Sequence, residues 1–226
     1  MKTIIQVRGL TKAYGQRPAV DHVSLSVKAG TVFGLLGANG TGKSTTIECI
    51  LGTKKADSGE ISILSLDPQK DRRHLFQRVG VQFQECDYQP EIKVSELCEE
   101  TVCLYKDPAD WKKLCTQFGL ANKINSAVKS LSGGERQRLF IVLALIPNPQ
   151  VVFLDELTTG LDTKARRDVW KILEELKNQG MTIFLTSHFM DEVEALCDEI
   201  CIIKKGKIVF YGTIMQAIEN LSLITF

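Results

Sequence analysis

A glycine-rich segment between an apolar run and a helical pattern constrains this chain more than any other feature. It reads Gly-Ala-Asn-Gly-Thr-Gly-Lys-Ser over residues 37–44 and follows the short apolar run Val32–Leu36. The pattern G-x-x-x-x-G-K-[ST] forms a loop whose backbone N–H groups surround phosphate when it joins a buried strand to a helix. The sequence therefore predicts a nucleotide-binding unit of strand, loop and helix, which belongs to a parallel α/β fold.

The residues of this loop have separate chemical tasks. Glycines let the backbone approach phosphate oxygens, while N–H groups and the positive end of the following helix bind negative charge. We expect Lys43 to neutralise the β- and γ-phosphates and the Ser44 hydroxyl to ligate Mg²⁺. The residues expected to contact the nucleotide are Gly37, Ala38, Asn39, Gly40, Thr41, Gly42, Lys43, Ser44 and Thr45.

Two carboxylates follow a second apolar run. Val151–Leu154 predicts a buried strand of a parallel sheet, and Asp155 and Glu156 come directly after it. Ligands of open α/β folds bind at the carboxyl ends of the strands, so both acids are expected beside the phosphates. Asp155 suits a Mg²⁺ ligand, and Glu156 suits a general base that polarises the attacking water.

Other polar residues end predicted strands at the same edge of the sheet. His188 follows the strand pattern Thr182–Thr186 and can reach the γ-phosphate, and Gln84 follows Val79–Phe83. Position alone is weak evidence for either residue, because an isolated histidine or glutamine more often has a structural role. Tyr14, taken alone, is equally well explained by packing.

A second glycine-rich turn, Leu131–Glu135, reads Leu-Ser-Gly-Gly-Glu and opens another predicted helix. Its N–H groups and positive helix end make a second phosphate site. The first loop supplies no obvious phosphate for it, so a phosphate must be brought to this turn from elsewhere.

Strand and helix patterns place these motifs in an α/β fold. Residues 1–36 alternate as strands of an antiparallel sheet, and a strand around Ile61–Leu64 is expected after a Ser-Gly break. The fold class is a P-loop NTPase core with a mostly parallel sheet, an N-terminal antiparallel β subdomain and an inserted α-helical subdomain. We expect a single domain over residues 1–226, with the helical insertion at approximately 90–148.

Composition excludes several classes of protein. Lys and Arg number 28 against 27 Asp and Glu, so no global charge draws the chain to nucleic acid or to an anionic membrane. The longest apolar run, Leu139–Ile146, has eight residues, whereas a membrane-spanning helix needs about 20. The start lacks a secretory signal pattern. We therefore expect a globular cytosolic protein without a nucleic-acid partner.

The order of these motifs resembles that of the nucleotide-binding subunit of an ATP-binding cassette (ABC) transporter. The resemblance covers nearly the whole chain and rests on Tyr14, the phosphate loop, Gln84, Leu-Ser-Gly-Gly-Glu, Asp155-Glu156, Thr-Thr-Gly-Leu-Asp at 158–162 and His188. The Leu-Ser-Gly-Gly-Glu signature is discriminating, because phosphate loops occur in many NTPases. The segment Thr186–Glu194 and the short carboxyl end after Gly212 are most similar to those of multidrug or antibiotic exporter ATPases.

The resemblance implies roles for the site residues. Tyr14 would stack on adenine, Gln84 would link Mg²⁺ and the attacking water to a transmembrane partner, and His188 would sense the γ-phosphate. The implied catalytic residues are Glu156, His188, Gln84 and Lys43, and the implied metal ligands are Ser44, Gln84 and Asp155. The residues implied to reach the ATP of a second subunit are Ser132, Gly133, Gly134, Glu135 and Asp162.

The resemblance also implies cofactors and partners. ATP and Mg²⁺ would be sandwiched between two ATPase subunits, as a homodimer or a related heterodimer. Hydrolysis would power movement of a substrate, a drug-like or other amphipathic compound for export, through a separate transmembrane permease subunit. The chain would then lie at the cytoplasmic face of the cell membrane, peripheral through that permease.

Two other classes share parts of this pattern. A soluble ABC-type ATPase acting on ribosomes or DNA has the same site, but such proteins carry paired cassettes, long coiled coils or zinc modules that this chain lacks. A regulator without hydrolysis conflicts with the presence of both Glu156 and His188. One departure from the family is Leu157, where Pro usually follows the catalytic Glu. Loss of Pro relaxes φ and restores an N–H without predicting an inactive site.

Overall fold

A six-stranded sheet forms the centre of the structure, a computed structural model that describes residues 2–83, 88, 89 and 91–222. β9 is antiparallel to β8, and the other strands are parallel. The strand order is β5 (Val79–Gln82), β6 (Val151–Asp155), β7 (Thr182–Ser187), β3 (Val32–Leu36), β8 (Glu199–Lys204) and β9 (Lys207–Thr213). β3, β6 and β7 are buried along their whole length, as expected for strands covered on both faces.

A separate three-stranded antiparallel sheet has the order β2 (Arg17–Lys28), β1 (Thr3–Tyr14) and β4 (Ser58–Ile63). The predicted fold class is therefore confirmed. The strand expected around residues 61–64 begins earlier, because Ser58 and Gly59 belong to it. Gly59 has a φ of 108°, and a Cβ there would lie 2.7 Å from Leu10 Cα. This glycine thus allows β4 to approach β1 closely and is not part of a turn.

The helices cover the sheets and connect the strands. Their bounds are α1 (Lys43–Ile50), α2 (Arg72–Leu75), α3 (Val94–Val102), α4 (Trp111–Gln117), α5 (Gly133–Leu145), α6 (Thr163–Asn178), α7 (Met190–Leu196) and α8 (Ile214–Ser222). Helices α3 to α5 lie between β5 and β6, where the sequence predicts a helical insertion; its limits at 90 and 148 stay a prediction. Within the described ranges, no helix has the length and apolar character needed to cross a bilayer.

The six-stranded sheet separates two hydrophobic cores, as β6 illustrates. Val151 and Phe153 belong to the core shared with the antiparallel sheet and α1. Val152 and Leu154 belong to the core formed with helices α3 to α7. Successive side chains of a strand point to opposite faces, so an unbroken apolar run serves both cores. The result is a sheet fixed from both sides, whose carboxyl edge carries the candidate site.

Candidate active site

The loop between β3 and α1 is a preformed phosphate cradle. Gly42 precedes α1 with a φ of 108°, and a Cβ there would lie 2.2 Å from the Ala19 carbonyl oxygen. Only glycine lets the loop pass so close to β2. Six residues of 39–45 border a cavity of about 360 Å³ together with Ala19 and Glu156. The structure thus brings most of the predicted nucleotide-contacting residues to one cavity.

The remaining part of the loop borders a neighbouring cavity. Gly37, Ala38 and Asn39 line this cavity of about 530 Å³ together with His188. Thr41 closes the loop, since its N–H and its hydroxyl both donate to the Ala38 carbonyl oxygen, at 3.3 and 2.8 Å. The loop and the residue after β7 therefore face a common space.

Lys43 is held inside the loop by oxygen atoms. Its Nζ donates to the Gly37 and Ala38 carbonyl oxygens at 2.7 and 3.3 Å, and it lies 3.1 Å from Glu156 Oε1. The Lys43 and Glu156 side chains are only 4% and 5% exposed. The predicted phosphate ligand and the predicted base thus form a buried ion pair.

Asp155 and Glu156 are held by Thr186, a residue that sequence reasoning did not identify. The Thr186 hydroxyl donates to Asp155 Oδ1 at 2.5 Å and accepts the Glu156 N–H at 2.9 Å. Glu156 needs this support, because its φ of 49° is unusual for a residue other than glycine. The available signal was the position of Thr186 at the end of a buried strand, directly before Ser187 and His188.

The oxygen donors at this edge fit Mg²⁺. Ser44 lines the cavity, and burial raises the pKa of the Asp155 carboxyl, opposed by the hydrogen bond from Thr186. A nearby cation would stabilise this desolvated carboxylate. Magnesium sites of this kind combine one or two carboxylates with substrate phosphates. Among the described residues, no group of three or more His, Cys, Asp or Glu side chains is arranged to hold a metal ion. Gln84, the other predicted ligand and a predicted catalytic residue, lies outside the described residues.

His188 reaches the same edge from the end of β7. Its Nδ1 lies 3.7 Å from Glu156 Oε1, too far for a good hydrogen bond, and its side chain is 29% exposed. The imidazole packs on the Phe189 ring at a centroid distance of 4.0 Å. The structure therefore places His188 beside both Glu156 and the loop, as the sequence predicts.

A third cavity, of about 280 Å³, is bordered by every residue predicted to act across a dimer. It is lined by Ser132, Gly133, Gly134, Glu135 and Asp162, among others. None of its lining residues borders the cavity at Lys43. The residues predicted to bind a subunit's own ATP and those predicted to reach the ATP of a second subunit therefore line separate cavities of one chain.

The signature turn, Leu131–Glu135, is held by two reciprocal hydrogen bonds. The Ser132 hydroxyl accepts the Glu135 N–H at 3.3 Å, and the Glu135 carboxylate accepts the Ser132 N–H at 2.9 Å, which is a capping box. This bond and the ammonium of Lys123, 3.2 Å away, lower the pKa of Glu135. Glu135 thus shapes the turn, while the N–H groups of Gly133 and Gly134 lie in the first helical turn, where intrahelical partners are missing.

Asp162 and Tyr14 occupy exposed ends of elements. Asp162 caps α6 by accepting the Ala165 N–H at 2.9 Å. The Tyr14 ring is 51% exposed at the end of β1, with the ammonium groups of Lys12 and Lys54 5.8 and 5.7 Å from its centroid. Tyr14 borders neither of the cavities at Lys43 and Ser132, so its stacking on adenine stays a prediction.

The loop, the paired acids and the glycine turn at α5 define an ATPase of the P-loop class. The sequence profile of the ABC transporter family matches residues 20–159. The Nod factor export ATP-binding protein I of Ralstonia nicotianae is 39% identical over 214 residues, which are 92% of this chain and 67% of that protein. The protein of the same name in Burkholderia orbicola is 38% identical over 221 residues, 96% of this chain and 73% of that protein.

Solved structures agree. An ATP-binding cassette of an ABC transporter in its ADP conformation has a TM-score of 0.86 and 28% identity, covering 97% of this chain and 94% of that one. The cbiO1 protein of Clostridium perfringens, part of an ABC transporter complex, has a TM-score of 0.86 and 27% identity, covering 99% and 94%. This chain belongs to the ABC transporter family, as an ATP-binding subunit that hydrolyses ATP to power transport. The resemblance found in the sequence is confirmed.

Proposed function

We propose that this ATPase closes two Mg²⁺-ATP molecules between head-to-tail subunits and so drives export through a separate transmembrane permease. The observation that carries the proposal is the division of phosphate-binding groups between two cavities. One cavity contains Lys43 and Glu156, and the other contains Ser132 and Gly134. In a twofold dimer each subunit presents both surfaces to its partner. Each ATP then contacts the phosphate loop of one subunit and, in the other subunit, the α5 turn, which is the glycine-rich turn Leu131–Glu135 at the start of α5.

The chemistry follows from the positions of the side chains. Lys43 exchanges its contact with Glu156 for the phosphates, and Ser44 and Asp155 hold Mg²⁺, with Gln84 as the further proposed ligand. Bound Mg²⁺ neutralises charge on the phosphate oxygens. Glu156 then accepts a proton from the attacking water, while His188 donates a hydrogen bond to the γ-phosphate. Thr186 keeps the two acids in place.

Export is the direction that the relatives support, and the export of a drug-like or other amphipathic compound stays part of our proposal. The proteins of Ralstonia nicotianae and Burkholderia orbicola are named as export ATP-binding proteins. We place the chain at the cytoplasmic face of the membrane, bound to its permease. The near-neutral net charge of +1 gives no support to the alternative of an ATPase acting on ribosomes or DNA. Co-purification with a hydrophobic membrane subunit tests the partner, and stimulation of hydrolysis by ribosomes or DNA instead would favour the alternative.

The shared site is tested by Ser132→Arg. An arginine at the α5 turn blocks the surface that meets the second nucleotide, but it leaves the cavity at Lys43 untouched. ATP binding to the monomer should stay within about twofold of the wild type, while dimer closure and hydrolysis are lost. Equilibrium nucleotide binding and size-exclusion chromatography with ATP measure both.

The matched control is Thr116→Arg, which adds the same side chain to an exposed position of α4. It should hydrolyse ATP normally. Normal turnover by Ser132→Arg would contradict the shared site, because that variant cannot present an open α5 turn to the γ-phosphate.

A further inference from the structure

A buried carboxylate behind the active site joins a loop to two helices. Glu192, in the first turn of α7, is 3% exposed. Its Oε1 accepts a hydrogen bond from the Thr158 hydroxyl at 2.8 Å and another from the Trp170 indole N–H at 3.2 Å. Thr158 lies in the loop after Glu156, and Trp170 lies in α6. One carboxylate oxygen therefore connects this loop, α6 and α7.

An acid at such a position is costly unless it is well bonded. Moving a carboxylate out of water costs several kcal/mol in typical proteins, and an apolar side chain of similar size is often the more stable choice. The two hydrogen bonds to Glu192 offset this cost. A buried carboxylate is therefore better explained by the groups that it positions than by stability. Of the two groups that donate to Glu192, Thr158 is the more buried, at 1% exposure.

Thr158 fixes the course of the short loop that joins Glu156 to Asp162. It lies two residues after Glu156 and four before Asp162. Its carbonyl oxygen accepts the Leu161 N–H at 3.2 Å, which turns the chain toward the start of α6. Displacing Thr158 would consequently move the loop at both of its ends.

Helix α7 is independently braced against α6 close to His188. Arg166 of α6 pairs with Asp191 at 3.1 Å, and its guanidinium lies 4.1 Å from the centroid of the Phe189 ring. The bonds of Glu192 extend this brace to the loop. The loop after Glu156, helix α6 and the segment that follows His188 are thus connected by these hydrogen bonds and ion pairs.

We propose that Glu192 and Thr158 are positioning residues for ATP hydrolysis. Their hydrogen bond holds Glu156 and Asp162 at fixed positions relative to His188. The side chains of Glu192 and Thr158 do not themselves touch the substrate. The inference rests on the roles proposed above for Glu156 and Asp162.

The test compares Thr158→Val with Thr158→Ser. Valine keeps the shape of threonine but has no hydroxyl, whereas serine keeps the hydroxyl. Thr158→Val should lower kcat about tenfold or more, because small displacements of reacting groups are amplified in rate. Its KM for ATP and its Kd for ADP should stay within about twofold, since Thr158 does not line the cavity at Lys43 and the phosphate loop keeps all of its own groups. Thr158→Ser should restore kcat.

A double-mutant cycle with Glu192→Ala assigns the effect to this bond. The double variant should be no slower than the slower single variant, because both substitutions remove the same contact. If Glu192→Ala fails to fold, the comparison of kcat between Thr158→Val and Thr158→Ser tests the proposal by itself.

Three results would overturn the proposal. They are a wild-type kcat for Thr158→Val, an equal loss for Thr158→Ser, and ADP affinity falling in parallel with kcat. A failure of the proposed base is seen separately, as normal hydrolysis by Glu156→Gln.

Discussion

Replacing Glu156 by Gln should slow hydrolysis and at the same time tighten nucleotide binding. In the structure, Lys43 Nζ lies 3.1 Å from Glu156 Oε1, and both side chains are buried. Phosphates must compete with this carboxylate for the ammonium. Two unit charges at this distance attract by about 5 kcal/mol at an effective dielectric constant of 20, and desolvation offsets much of that energy.

The net gain on removing the competition should be near the lower end of the range for a charged hydrogen bond, about 1.5 kcal/mol, or roughly tenfold in Kd. The gain is small because Lys43 keeps its hydrogen bonds to the carbonyl oxygens of Gly37 and Ala38 in the variant. Loss of the general base should slow hydrolysis by roughly 10²–10⁴ fold, while dimer closure with ATP is preserved.

Calorimetric titration with ADP and without Mg²⁺ isolates the ion-pair effect, because hydrolysis and metal binding then make no contribution. Glu174→Gln, at an exposed position of α6, is the matched control and should bind ADP as the wild type does. An ADP affinity for Glu156→Gln that is equal to or weaker than that of the control would refute the competition. Normal hydrolysis would refute the assignment of the base.

Two further substitutions test the loop and the packing behind the signature turn. Lys43→Ala should weaken ATP binding at least about tenfold, because it removes charge-assisted hydrogen bonds to phosphate, and unchanged affinity in an equilibrium titration would contradict this. A Cβ on Gly80 of β5 would lie 1.9 Å from the Ala144 carbonyl oxygen of α5. Gly80→Ala should therefore destabilise the fold by about 1–3 kcal/mol or more and lower Tm by several degrees in calorimetry; an unchanged Tm would show that α5 moves freely.

Features encoded within a few neighbouring residues could be predicted from the sequence. The phosphate loop is one example, because its glycines, its lysine and the adjoining apolar run specify the turn locally. Val151–Leu154 is another, since an unbroken apolar run fits a strand buried on both faces. The cap of α5 follows the same logic, because Ser132 and Glu135 are three residues apart and satisfy each other.

Features that depend on packing between distant segments could not be predicted. The approach of Ala19 to Gly42 is set by how the β1–β2 sheet lies on the loop. The bridging role of Thr186 requires β6 and β7 to be neighbours in register. The strand at Ser58–Ile63 starts earlier than predicted, because Gly59 serves a close contact between strands. A Ser-Gly pair looks the same in the sequence whether it forms a turn or lies in a strand close to another backbone. The sequence alone therefore favours a turn, which is the more common structure.

The cavity at Lys43 and the cavity at Ser132 share no lining residue, which has a genetic consequence. In the proposed head-to-tail dimer, a single substitution inactivates one kind of half-site and spares the other. A Lys43→Ala chain paired with a Ser132→Arg chain would then have one composite site with both defects and one with none. Two inactive alleles can then complement each other in a mixed dimer. After a gene duplication, the two copies could in the same way diverge into a pair with one working and one silent site.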